Sequence, residues 1–403
     1  MHATHGVNAL ASSAAILTML IGAGAARAQA VAAANRPFGL EQVIAVYGAP
    51  KEIAAANFVL DMDGKYWRGR RGVASRGVTH QQFLQKSVDE GATVLANLET
   101  PKDSAPVVTI DEFGWDYDGG IDRHSAAILK AVHRKKPGLK IAVWQMRGPV
   151  APQLAAVYRD TVELVLLETY VDLKDSWMIA FQLQAARLSG LLGKTVIGLG
   201  IGKESPDLGG WAWTQTADEL DQQLRLIRFV GPESPGVALF GLDNLGKCPL
   251  TKQQLEQACG RFSKLPTDGT GLRPELLKLA NTFTARYEKP AIFCSSEFFM
   301  PYFHCGHDGG PWGSAYSPPV ARVLMMNLGE KDAKRVKVAL RTPKQERPWA
   351  ASSVDIPARS VAVALLPILP GKKWNGWAGS ELLDVDAPGC EVQKFTDSRF
   401  APK

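Results

Sequence analysis

Between residues 40 and 286 short apolar runs alternate with longer amphipathic ones. The runs VIAVYG (43–48), NFVLDM (57–62), TVLANLE (93–99), VVTIDEF (107–113), KIAVWQM (140–146), ELVLLETY (163–170), TVIGLGIG (195–202) and GVALFGLDN (236–244) read as strands buried on both faces. Helical patterns lie between most of them: THQQFLQKSVDEG, DRHSAAILKAVHRKKPG, SWMIAFQLQAARLSGLLG, TADELDQQLRLIRFVG and TKQQLEQACGRFSK. Buried strands alternating with helices predict an α/β fold with a parallel sheet, and eight of them predict a closed (β/α)8 TIM-type barrel. Two links, 48–57 and 99–107, are too short for a crossover helix. A helix over 40–47, or a doubly wound open sheet, are therefore the alternatives.

After Tyr287 the period changes. PPVARVLMMNLG, KRVKVALRT and IPARSVAVALLPILPG carry Pro-rich turns, the last two alternate with period two, and none contains a helical stretch of useful length. This predicts a small antiparallel β-sandwich domain. The expected division is a barrel domain over 37–287 and a β domain over 288–403. Ahead of both, residues 9–26 form an apolar stretch of small residues followed by Ala28-Gln29-Ala30. An A-x-A triplet after such a run predicts a signal peptide over 1–30, cut after Ala30, and a secreted or periplasmic product. The basic flank usual before such a run is missing, since residues 2–8 offer only His2 and His5. An N-terminal anchor is the alternative, but Ser12, Ser13, Thr18 and the many Gly and Ala make the run weakly apolar for a span. No other segment reaches the length of a spanning helix, so no membrane span is expected in the mature chain.

Charge narrows the partners. A net charge of +6 on 403 residues is small, and the basic residues are scattered apart from RGRR (68–71) and RKK (134–136). Nucleic-acid binding would need a broad basic face, so no nucleic-acid partner is expected. The five cysteines allow two local staples, Cys248 with Cys259 and Cys294 with Cys305, leaving Cys390 over.

In a parallel barrel, chemistry belongs at the C-terminal ends of the strands. Nearly every run here ends in a carboxylate or an amide: Asp61 and Asp63, Asn97 and Glu99, Asp111 and Glu112, then Asp116 and Asp118, Gln145, Glu168, Lys203 and Glu204, Asp243 and Asn244. Trp67, Trp115, Trp144, Tyr170, Trp211 and Trp213 lie on the same strand ends and loops. Paired carboxylates supply the acid and the nucleophile or base of glycoside hydrolysis, and aromatic rings match the C–H faces of a pyranose. Strand-end Asp and Glu that merely cap the next helix are the plainer explanation for any single position.

Two places stand out. In VVTIDEFGWDYDGG, alternation turns Val108 and Ile110 toward the helices and Thr109 and Asp111 toward the barrel axis. Glu112 reaches the cleft only if the strand ends or bulges there. In LVLLETY, Glu168 is a lone carboxylate after four apolar residues, where burial would raise its pKa. The candidate catalytic pair is Glu168 with Asp111 or Glu112, and Asp243 is held in reserve. Trp115, Asp116, Trp144, Gln145, Tyr170, Asn97, Glu99, Asp243 and Asn244 are the candidate sugar-binding residues.

Other motifs fail. GLGIGKES has Glu204 where a phosphate loop needs Ser or Thr, and neither G-x-S-x-G nor H-E-x-x-H occurs. FHCGHDGG (303–310) and the Asp116/Asp118 loop lack a full zinc or calcium ligand set. No cofactor and no metal are called for. On VVTIDEFGWD and LVLLETY, the chain resembles secreted barrel glycoside hydrolases with an appended β-sandwich, over roughly residues 40–370. It matches no single family among them, because Asp111-Glu112 replaces the Asn-Glu pair that ends the fourth strand in the largest group. The resemblance implies hydrolysis of a polysaccharide or oligosaccharide. A non-catalytic glycan-binding protein, or another barrel enzyme (a lyase, a deacetylase or a metal-dependent hydrolase), are the alternatives.

Overall fold

Eight parallel strands close on themselves in sequence order in a computed structural model of the chain. It describes residues 36–47, 53–61, 73–79, 86–98, 107–113, 119–145, 150–201, 214, 216–241, 250–301, 320–341, 348, 350–367 and 382–395. The barrel strands are β1 (Val43–Tyr47), β2 (Phe58–Asp61), β3 (Val73–Thr79), β4 (Val107–Phe113), β5 (Lys140–Gln145), β6 (Leu164–Glu168), β7 (Thr195–Gly200) and β8 (Gly236–Phe240). The barrel and the strands after it lie in one unit, Gln42–Lys403; in the other, Met1–Glu41, residues 37–39 form a 3-10 turn. Closure depends on Gly236, which pairs with Val43 across the β8–β1 seam. A Cβ at Gly236 would stand 1.8 Å from the Val43 carbonyl oxygen, so only glycine lets these two backbones approach.

One strand is not where the apolar runs place it. The first four residues of TVLANLE, TVLA (93–96), belong to helix α1 (Val88–Ala96), and the third strand is VASRGVT. Ser87 and Glu90 form a reciprocal capping box that starts α1, and Val88, Ala92 and Leu95 then recur at helical spacing against the core. β3 escaped notice because Ser75, Arg76 and Gly77 interrupt its apolar pattern. The short 48–57 link does join two parallel neighbours, β1 and β2.

The remaining described helices are α2 (Gly119–Lys135), α3 (Pro152–Thr161), α4 (Trp177–Leu188), α5 (Ala217–Val230), α6 (Lys252–Arg261) and α7 (Pro274–Thr284). Capping boxes start α5 (Thr216, Glu219) and α6 (Thr251, Gln254), and proline opens α3 and α7. Alternate strand residues meet these helices. Ile44, Val46, Val108, Ile110, Ile141, Val143, Val165, Leu167, Ile197, Leu199, Val237 and Leu239 join the helix-facing core. Their neighbours Ala45, Thr109, Ala142, Trp144, Leu166, Val196 and Ala238 are just as buried and fill the barrel axis.

Beyond α7, β9 (Ala291–Pro301), β10 (Val320–Asn327), β13 (Ser360–Pro367) and β15 (Glu391–Phe395) form one sheet, in the order β13-β10-β9-β15. β11 (Ala333–Arg341), β12 (Ala350–Ile356) and β14 (Leu382–Asp386) form a second, in the order β12-β11-β14. Ile292, Cys294, Val323, Met325, Val338 and Leu340 make the core between them, giving the expected sandwich. It is antiparallel except that β15 runs parallel to β9. The four-stranded sheet is covered on its other face too. Phe293, Leu324, Met326, Val363 and Phe395 belong to the barrel's helix-side core, and Phe395 stacks on Trp177 of α4 at 5.4 Å. As a result α4 is buried over its whole run from Trp177 to Ala186.

Among the described residues Cys259 and Cys294 are free buried thiols, and Cys390 is free as well. Cys248 and Cys305 lie outside the described residues. Cys259 lies in the barrel's helix-side core and Cys294 in the sandwich core, where its thiol donates to the Gln393 carbonyl at 3.7 Å. Burial pushes both thiols up to about 12, with nearby Glu256 adding to the rise at Cys259 and Lys394 opposing it at Cys294. A raised thiol pKa stabilises the fold below the ordinary value of 9.0 and loses that contribution as pH climbs toward 12. Iodoacetamide at pH 8 is therefore expected to label Cys259 and Cys294 only after denaturant is added, with peptide mass spectrometry as the readout. Labelling of the native protein at the rate of a free thiol would contradict this burial.

None of the described helices is long and apolar enough to cross a membrane. The expected signal segment, residues 1–30, lies outside the described residues.

Candidate active site

The site is built where β4, β5, β6 and β8 end. At β4 the ladder with β5 shifts register: Ile110 pairs with Val143, but Phe113 pairs with Gln145. Two residues of β4, Asp111 and Glu112, thus stand against Trp144 alone, which is a β-bulge. Phe113 consequently returns to the helix-facing core, where its ring lies 6.0 Å from that of Tyr158 on α3. The bulge that Glu112 needed is present, although its side chain is outside those described. Asp111 is buried to 7% exposure.

Glu168 ends β6 on the same side and is also 7% exposed. Trp144 pairs with Leu166, so Glu168 stands one inward-facing step above the level of Trp144. β4 and β6 flank β5, and a strand spacing of about 4.8 Å puts their backbones roughly 10 Å apart.

Three aromatic rings bind this face together. Trp144 donates its indole N–H to the Tyr170 hydroxyl at 3.1 Å. Tyr170 stacks on Phe240 of β8 with centroids 4.7 Å apart, and Trp144 lies 6.2 Å from Phe240. The indole crosses over β7 at Gly198, where a Cβ would come within 3.5 Å of its ring and 3.2 Å of the Leu167 carbonyl oxygen. Small residues at Gly198 and Ala238 leave the axis open to this one large ring. Trp144 is fully buried and Phe240 is partly exposed, so the group runs from the barrel interior to its mouth.

Behind this face two buried glutamines hold the end of β6. Gln182 of α4 donates to the Glu168 carbonyl at 3.3 Å and accepts from the Thr169 hydroxyl at 2.9 Å. Gln223 of α5 donates to the Val171 carbonyl at 2.9 Å and accepts from the Thr214 hydroxyl at 2.7 Å. The two pairs bracket Tyr170. Thr169 N–H still reaches the Gly198 carbonyl at 2.8 Å, extending the β6–β7 ladder one residue past Glu168.

The other expected site residues fall differently. Gln145 faces the helices: its amide oxygen accepts from Tyr158 Oη at 3.2 Å, and its amide nitrogen is buried with no partner. Alternation explains this, since Gln145 follows the axis-facing Trp144. Asn97 is a correction. It is the exposed C-cap of α1, and α1 leads into the start of β4, so Asn97 lies at the opposite end of the barrel from the strand ends. The side chain of Glu112 and residues Glu99, Trp115, Asp116, Asp243 and Asn244 lie outside the description.

Phe240, Gln182 and Gln223 were not singled out in the sequence. Phe240 was legible as an aromatic at the end of an apolar strand. Gln182 had a signal too: with Gln184 it is one of two amides in a run, WMIAFQLQAA, that is otherwise apolar all round.

No family model and no curated protein matches the sequence. Among solved structures the chain is similar to an endo-β-N-acetylglucosaminidase from Cordyceps militaris, with a TM-score of 0.41 and 12% identity over 58% of this chain and 94% of that one. It is similar to active domain 2 of a chitinase from Pyrococcus furiosus, with a TM-score of 0.41 and 11% identity over 56% of this chain and 95% of that one. A third similar structure is an archaeal fructose 1,6-bisphosphate aldolase, with a TM-score of 0.30 and 14% identity over 55% of this chain and 94% of that one.

Proposed function

We propose that the chain is an exported glycoside hydrolase that cleaves a polysaccharide or oligosaccharide with a carboxyl pair, Glu168 and either Asp111 or Glu112. Residues 37–287 are then its catalytic domain and 288–403 an appended β domain. One observation carries this reading. Two buried carboxyl residues, Asp111 two positions before the end of β4 and Glu168 at the end of β6, stand on strands two apart in a closed barrel, beside Trp144, Tyr170 and Phe240. Acids at that separation can act on opposite sides of a glycosidic oxygen, one donating the proton and the other supplying the nucleophile or base. Phe240, the partly exposed member of this group, gives a sugar ring an apolar surface at the barrel mouth.

The test is release of reducing ends from a panel of plant, algal and microbial glycans by the protein from Val31 onward, with and without EDTA. Turnover that survives chelation is the expected outcome. Loss of turnover on chelation would move the chain to a metal-dependent hydrolase or deacetylase, and binding without turnover on any glycan would make it a lectin-like protein.

A further inference from the structure

We infer that Gln182 is a positioning residue for Glu168, an inference resting on Glu168 as the reacting carboxyl. Gln182 is 1% exposed in a helix whose other residues from Trp177 to Ala186 are equally enclosed. A buried amide is costly unless both its ends are bonded, so the side chain is fixed by what it bonds. The amide nitrogen donates to the carbonyl of the Glu168–Thr169 peptide, and the amide oxygen accepts from the side-chain hydroxyl of Thr169. Thr169 Oγ also reaches the Leu167 carbonyl at 3.3 Å. This is where β6 runs out of ladder, and the orientation of the Glu168–Thr169 peptide sets the direction in which the Glu168 side chain leaves the backbone.

The support extends outward. α4 cannot shift away from β6, because Trp177 is stacked on Phe395 and Phe181 packs edge-on against Phe283 at 6.3 Å. The four-stranded sheet thus backs the helix that holds the carboxyl. The same helix provides an internal control. Gln184 is 3% exposed and donates to the Phe283 carbonyl at 2.9 Å, away from β6. Its amide oxygen is buried with no partner, so its loss removes one hydrogen bond from the same helix without touching Glu168.

The experiment compares Gln182→Leu, Gln184→Leu, Thr169→Val and Thr169→Ser. Gln182→Leu is expected to lower kcat about 10- to 100-fold, the cost of a misplaced reacting group, with KM within about twofold. Thr169→Val should follow it part of the way, Thr169→Ser should restore the wild-type rate, and Gln184→Leu should stay within about twofold. A second readout needs no turnover: the rate at which a carbodiimide modifies Glu168, measured by peptide mass spectrometry. That rate should change in Gln182→Leu and not in Gln184→Leu. If the wild type hydrolyses nothing but this labelling contrast appears, the positioning role stands and the hydrolase reading fails. Equal kcat losses in the two glutamine variants, or unchanged labelling of Glu168, would overturn the inference.

Discussion

Glu168→Gln is expected to lower turnover at least about a thousandfold, equivalent to about 4 kcal/mol of transition-state stabilisation. The substitution keeps size and shape, so the packing around this 7%-exposed side chain should survive it. What is lost is the ability to donate a proton or to carry the negative charge that meets a developing oxocarbenium ion. Glycan binding, which would rest on Phe240 and the polar groups of the barrel mouth, should persist in the variant. Calorimetric titration of the variant with the substrate identified for the wild type checks this. Asp111→Asn and Glu112→Gln then select the partner, because only one of them should approach the same loss. Both stand in the bulge opposite Trp144, so backbone placement alone gives each an approach to the axis. Full turnover in Glu168→Gln would move the chemistry to other residues of the barrel mouth.

The sequence carried the barrel because seven of its eight strands are dense apolar runs, and that pattern needs nothing beyond burial on both faces to be read. The eighth shows where the method stops. VASRGVT is a strand because β2 and β4 pair with it on either side, a tertiary cause that leaves little trace in its own composition. TVLANLE failed for the opposite reason, since its apolar residues fit either period and the decision lay three residues upstream in the Ser87–Glu90 box. Alternation placed Val108 and Ile110 on the helix side, where they are found, yet the same rule, applied at β5, would have put Gln145 behind Trp144. The glutamine clamps on residues 168–171 were beyond reach, because their partners are backbone carbonyls of another element. The double burial of the four-stranded sheet was written in PPVARVLMMNLG, whose two faces are both apolar, but nothing in the sequence named α4 and α7 as the second partner.

The largest structural loss should follow substitution at Asn327, the last residue of β10. Its side chain is fully buried and joins three parts of the sandwich. The amide oxygen accepts from Ala291 N–H at 3.1 Å and Gly329 N–H at 2.9 Å. The amide nitrogen donates to the carbonyls of Lys331 at 2.8 Å and of Ile356 and Pro357 at 3.2 Å each. Asn327 therefore fixes the start of β9, the turn after β10 and the end of β12 against one another. Asn327→Leu keeps the volume but removes every partner, and each buried polar group left unsatisfied costs about 1–3 kcal/mol. Some will find water or each other, so a net loss of about 4 kcal/mol in urea unfolding is expected, at the upper end for single substitutions. Asn327→Asp should fare no better, because a carboxylate would face three carbonyls. Since Leu324 and Met326 of the same strand pack into the barrel's helix-side core, the loss should also reach α4. Fluorescence of Trp177 under the sheet should then change in the same transition as the far-UV signal. A loss below about 1 kcal/mol in Asn327→Leu would mean that the backbone turns hold without the side chain.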